Sequence, residues 1–200
     1  FRSLLIVGCN NGKSTSVKNN SKDDNSISTY ANNENNDSKD SITAYVGNNI
    51  FESSLDPIKG AMSYGYSFTN NALTRVNPNS EYEGDLAESW SISEDSLIYT
   101  FNLKKGIKFQ DGSDFTAEDV VFTYETVKNN QADNESVDLT RLKSVEAVDD
   151  YTVKFTLSEP YSPFFDSIAL LGIVPSDSYD SKVFDKSPIG TGPWKVIQYK

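Results

Sequence analysis

From Asp85 to Glu125 the turn signals come so close together that each apolar run between them has room for one short element. Trp90 and Ile92 open a strand, and Glu94-Asp95-Ser96 turns it. Ile98 to Leu103 reads as a second strand, rich in aromatic and β-branched residues that alternate with period two. Lys104-Lys105-Gly106 turns the chain again, and Ile107-Lys108-Phe109 is expected as a short third strand. Asp111-Gly112 is a turn dipeptide, because glycine takes positive φ without a steric penalty. Thr116 is placed to cap a helix. Its hydroxyl can accept from the Asp119 N–H, and the Asp119 charge suits the positive end of the helix dipole. Val120, Val121, Tyr124 and Val127 give that helix one apolar face.

The flanks extend the same mixed α/β pattern. Ile42, Ala44 and Val46 alternate with Thr43 and Tyr45 as a half-buried strand, where folded structure is expected to begin. A short helix is expected from Ser67 to Val76, with Phe68, Ala72 and Leu73 inward, and Asn77-Pro78-Asn79-Ser80 is a turn. Leu142 to Val148 reads as a strand that Asp149-Asp150 turns into the alternating Tyr151, Val153, Phe155 and Leu157. Ser162-Pro163 starts a helix carrying Phe164, Phe165, Ile168 and Leu171. Trp194, Val196 and Ile197 begin a last strand, within which the sequence stops.

The first residues read differently. Phe1-Arg2-Ser3-Leu4-Leu5-Ile6-Val7-Gly8-Cys9 has a basic residue, an apolar run and a small residue before cysteine, like the tail of a secretory leader. Ile6-Val7-Gly8-Cys9 resembles a lipobox, which makes Cys9 the expected lipid-attachment residue and residues 1–9 a leader remnant. The other reading is a strand ending in an ordinary cysteine. Two acyl chains on Cys9 would anchor the protein stably, where one would not. Residues 10–41 are low in complexity, about half Asn and Ser, and too poor in aliphatics to offset the entropy of ordering. They are expected to form a disordered tether, with the folded region at residues 42–200.

Charge and residue inventory exclude several functions. The net charge of −11 argues against nucleic acid, whose phosphates call for a basic face. With no histidine there is no Ser-His-Asp or Cys-His set, and metal ligands are thin. Gly190-Thr191-Gly192-Pro193 is glycine-rich, but Pro193 lacks an N–H that a phosphate cradle would use. Glu83, Asp85 and Glu88 read as a solvated loop and a helix start, and not as an acid/base pair. No enzyme, cofactor or metal is expected.

Asp85-Leu86-Ala87-Glu88-Ser89-Trp90, Tyr99-Thr100-Phe101 with Leu103, Lys108-Phe109 with Asp111-Gly112, and Thr116 to Phe122 follow a known order. Pro188-Ile189-Gly190-Thr191-Gly192-Pro193-Trp194 follows at a matching distance. Together they resemble the extracellular solute-binding proteins of peptide and nickel ABC transporters, family 5. The resemblance implies a two-lobed, type II periplasmic-binding-protein-like hinge fold. Only the first part of lobe one, with its inserted subdomain, would be present. It also implies a protein outside the cell, lipid-anchored, which captures a peptide or related small solute for permease subunits and acts as a monomer. Leu55-Asp56-Pro57 stands where the family's chain enters the ligand cleft. The residues after it, Gly60, Ala61, Met62, Ser63, Tyr64 and Tyr66, match a segment that pairs its main chain with an extended ligand in peptide-binding relatives. Nickel-chelate relatives tend to place a Trp in the loop matching 129–139 and an Arg after the helix ending near Leu170. Neither is present, which favours peptide over nickel chelate. A surface protein that keeps the fold for adhesion or sensing is the other alternative.

Overall fold

In the computed structural model, which describes residues 2–8, 41–46, 54–60, 67, 69–130, 134 and 137–199, the closely turned run folds largely as its turns dictate. Strands β1 (Arg2–Gly8), β2 (Ser41–Val46), β3 (Thr74–Val76), β4 (Tyr82–Gly84), β5 (Ala87–Ile92) and β6 (Ile98–Leu103) come first. Helix α1 (Ala117–Asn129), β7 (Leu142–Asp149), β8 (Thr152–Leu157), α2 (Phe164–Leu170) and β9 (Trp194–Tyr199) follow. Among the described residues they make a four-stranded sheet ordered β5-β6-β8-β7, a β3-β4 pair and a three-stranded sheet ordered β2-β1-β9.

The four-stranded sheet is antiparallel throughout, and its period-two pattern settles which face is covered. Tyr99, Phe101 and Leu103 of β6 lie beside Val153, Phe155 and Leu157 of β8, all buried. Lys154 and Glu146 pair at 2.9 Å on the opposite, wet face. α1 covers the apolar face with Ala117, Val120, Tyr124 and Val127 at helical spacing. Val121, expected on that face, is only half-buried, and Thr123 is buried there instead. Edge-to-face rings lock the layers: Phe101 to Phe155 at 5.6 Å, Tyr124 to Phe155 at 4.8 Å and Phe155 to Phe164 at 5.7 Å.

The turns behave as read. Ser96 takes φ 58°, Gly106 φ 75° and Gly112 φ 94°. Thr116 is the N-cap of α1, and the box closes through Asp119, whose Oδ2 accepts the Thr116 N–H at 2.9 Å.

Two expectations are corrected. Residues 107–109 form no strand, only an isolated bridge between Lys108 and Asp114. Phe109 donates to Ser113 O, and Gln110 then turns its N–H to Gly190 O, leaving no ladder to extend. The stretch 67–76 is not a helix. Residues 69–73 run as loop into β3, because Thr69, Asn71, Ala72 and Leu73 give their carbonyls to partners far along the chain. The apolar spacing of Phe68, Ala72 and Leu73 imitated a helix face, and Phe68 itself lies outside the described residues. The stretch read as a leader remnant is a strand here. Arg2–Gly8 is a strand, antiparallel to β2 and to β9, as its continuous apolar run permits.

Candidate functional site

The two sequence landmarks, 85–90 and 188–194, meet across the loop 69–73. Asn71 Nδ2 donates to both Asp85 carboxylate oxygens, at 2.8 and 2.9 Å. The N–H groups of Asp85, Leu86 and Ala87 return to Leu73 O and Ala72 O at 2.9–3.0 Å. On the other side Gly192 N–H donates to Thr69 O at 2.8 Å, and Thr191 Oγ1 bonds Asn71 Oδ1 at 3.1 Å. Buried Asn70 sends its Nδ2 to Ile173 O at 2.9 Å and to Ile189 O at 3.1 Å. Gln110 completes the clamp, with Nε2 donating to Gly192 O at 3.0 Å and Trp194 O at 2.7 Å. The approach is tight enough to require glycine: a Cβ at Gly190 would sit 1.9 Å from Thr69 O. Buried Asn70 and half-buried Gln110 thus hold carbonyls of loop residues and of the first residue of β9.

Beside this clamp lies 54–60. Asp56 caps the 3-10 turn Pro57–Lys59, accepting the Ile58 N–H at 3.0 Å, and its other oxygen accepts the Tyr179 hydroxyl at 2.7 Å. Asn134 Nδ2 bonds Pro57 O and Ile58 O at 3.0 and 3.1 Å, and Leu55 N–H reaches Asp185 O at 3.2 Å. Burial raises the Asp56 carboxyl above the ordinary carboxylate range, against the pull of the Tyr179 and Ile58 bonds and the nearby Lys59. Burial also drives the Tyr179 hydroxyl far up, helped by its bond to Asp56. Gly60 ends the turn at φ 77° and ψ 29°, donating to Pro57 O. A third tie comes from α1. Asp119 Oδ1 accepts the Ser176 N–H at 2.8 Å and the Ser176 hydroxyl at 2.9 Å, while Val174 N–H donates to Thr123 Oγ1 at 3.2 Å.

These polar side chains are spent on the chain's own backbone and on one another. Among the described residues no three His, Cys, Asp or Glu gather as a metal site, and no helix is long and apolar enough to cross a membrane.

A family model for bacterial extracellular solute-binding proteins, family 5 Middle, matches residues 81–200. The chain belongs to that family. The dipeptide-binding protein of Escherichia coli is 36% identical in an alignment 142 positions long that covers 58% of this chain and 26% of that protein. NikZ from Campylobacter jejuni, solved with Ni(L-His), superposes with a TM-score of 0.68 at 32% identity, over 74% of this chain and 31% of that one. DppA from Helicobacter pylori, solved with the peptide STSA, gives 0.63 at 32% identity, over 72% and 34%. Both are type II periplasmic binding proteins, and the described elements form a mixed α/β part of that fold. The chain spans about a quarter of the length of the relatives it matches.

Of the residues expected to contact ligand in this family 5 chain, Gly60 is placed, as the left-handed end of the Asp56-capped turn. Ala61, Met62, Ser63, Tyr64 and Tyr66 lie outside the described residues, as do Cys9 and residues 10–40 of the expected tether, whose last residue, Ser41, opens β2. The structure adds residues that the sequence reading passed over: Asn70, Asn71, Gln110, Asn134 and Tyr179. Asn70-Asn71 poorly suits the helix expected there, and that mismatch was the available signal. Gln110, Asn134 and Tyr179 act at separations of 82, 77 and 123 residues, beyond any local pattern.

Proposed function

We propose that this chain is part of the substrate-binding component of an ABC transporter, one that captures peptides outside the cell and passes them to a membrane permease. The observation that carries this reading is the clamp. It fixes residues 54–60 and 69–73, which precede and follow 61–66 in sequence, and spends its amides and carboxylates on the chain's own backbone and on one another. Such a frame suits presenting main chain to an extended ligand, where hydrogen bonds to the backbone give affinity irrespective of side chain. It needs no group that makes or breaks bonds. The peptide named with Helicobacter DppA supports the same reading. The likeness to NikZ favours a second reading, nickel chelate, against which stand the missing Trp and Arg. Titration calorimetry on the full-length protein separates the two. Peptides of unrelated sequence should bind at about micromolar, near −8 kcal/mol, with no heat from nickel–histidine. Heat from nickel–histidine alone would reverse the assignment.

Membrane attachment belongs to the same reading, with Cys9 carrying lipid and residues before it removed. Cys9→Ala in the complete gene should move the protein to the soluble fraction. Retention as firm as in the wild type would rule the anchor out.

A further inference from the structure

β1 is the middle strand of its sheet, and it is also the stretch read as a leader. It runs antiparallel to both neighbours, so β2 and β9 are parallel to each other across it. The register lines up three residues per row: Thr43, Leu5 and Gln198; Ile42, Ile6 and Val196; Ser41, Val7 and Lys195. β2 and β9 therefore already run in the same direction, held one strand apart, with their phase interrupted once, by the irregularity of the β1–β9 ladder between Leu5 and Ile6. A parallel pair needs a long crossover, and the chain between Val46 and Trp194 contains a whole sheet and two helices. Nothing in the topology prevents direct pairing once the middle strand leaves.

We propose that Arg2–Gly8 is a removable spacer strand: attached, it keeps β2 and β9 apart, and without it the two pair directly. The proposal rests on the reading that residues before Cys9 are cut away. The two strands flank the candidate site in sequence, β2 leading towards 54–60 and β9 following directly from the 188–194 landmark.

Disulfide trapping tests this without any ligand. Ser41→Cys and Lys195→Cys are introduced into the full-length protein, with Cys9→Ser throughout, once with Arg2–Gly8 attached and once with the chain started after Gly8. With β1 between them the two Cα atoms are ~10 Å apart, beyond the ~7 Å a disulfide spans; paired directly they fall to ~5 Å. The shortened protein should cross-link on mild oxidation at least ten times more completely than the longer one. A third protein keeps the leader but carries Ile6→Pro, which removes a ladder donor and should eject the strand. It should cross-link like the shortened form, and it stands in if the shortened form fails to fold. Equal cross-linking with and without the leader, or none in either altered protein, overturns the proposal. The mass of the mature protein from cells shows separately whether the leader is removed.

Discussion

Gly190 shows how narrowly single residues constrain the clamp. Its requirement is steric, because a Cβ would meet Thr69 O at 1.9 Å, Thr69 C at 2.6 Å and Asn70 Cγ at 2.8 Å. Two of those atoms are backbone that cannot move aside without releasing the Gly192 N–H from Thr69 O. Gly106 is the opposite case: φ is 75°, and a Cβ there would meet nothing within 4 Å. Gly106→Ala should cost only the left-handed penalty, about 1 kcal/mol. Gly190→Ala should cost more, about 1–3 kcal/mol of overpacking plus the hydrogen bonds it displaces. Urea midpoints of the two variants against wild type measure the order. Equal losses would mean that the loop 69–73 yields freely and the clamp is looser than described.

Elements were legible where their logic was local. β6 and β8 carry aromatic and β-branched residues in strict alternation, and both strands lie where that alternation puts them. Thr116 and Asp119 announced the start of α1 because a capping box is contained within one turn. Pro163 stands at the N-cap of α2, directly before Phe164. The failures share one cause. At 67–76 and 107–109 the backbone partners are remote in sequence, as in Gly192 N–H to Thr69 O and Gln110 N–H to Gly190 O. Tertiary hydrogen bonding there outweighed a plausible local pattern. The candidate site was legible through Gly60 and the two landmarks, but not through the amides that join them, since an asparagine in a loop looks alike whether it is solvated or clamps two carbonyls. Phe165, expected inward on α2, packs among Tyr82, Trp90, Tyr99 and Phe101 while staying half-buried.

At the scale of the whole molecule, stability should depend on pH in two opposed phases. Asp95, Asp138, Glu146 and Asp149 are held below the ordinary carboxylate range, chiefly by the Ser93 hydroxyl, the Thr140 hydroxyl, Lys154 and the Tyr151 N–H respectively. Their stabilisation is present at neutral pH and is lost as pH falls through their depressed folded values. Asp56 has the opposite sign: burial raises it from 3.8, so its contribution is full below that value and is lost as pH rises through the folded one. Urea midpoints should therefore climb slightly on acidification from neutral and fall at lower pH. Asp56→Asn should abolish the climb and keep the fall; a profile like the wild type's would remove Asp56 from the account. The central claim is that main chain at 60–66, framed by the clamp, carries the peptide. It is tested most directly by calorimetry of full-length Ser63→Pro against several peptides of unrelated sequence. Proline removes one backbone donor while leaving the clamp residues in place. The account predicts weakening by about tenfold or more, alike for every peptide, as loss of one shared main-chain bond requires. Affinities unchanged from wild type, or lost for one peptide and kept for the others, would contradict it.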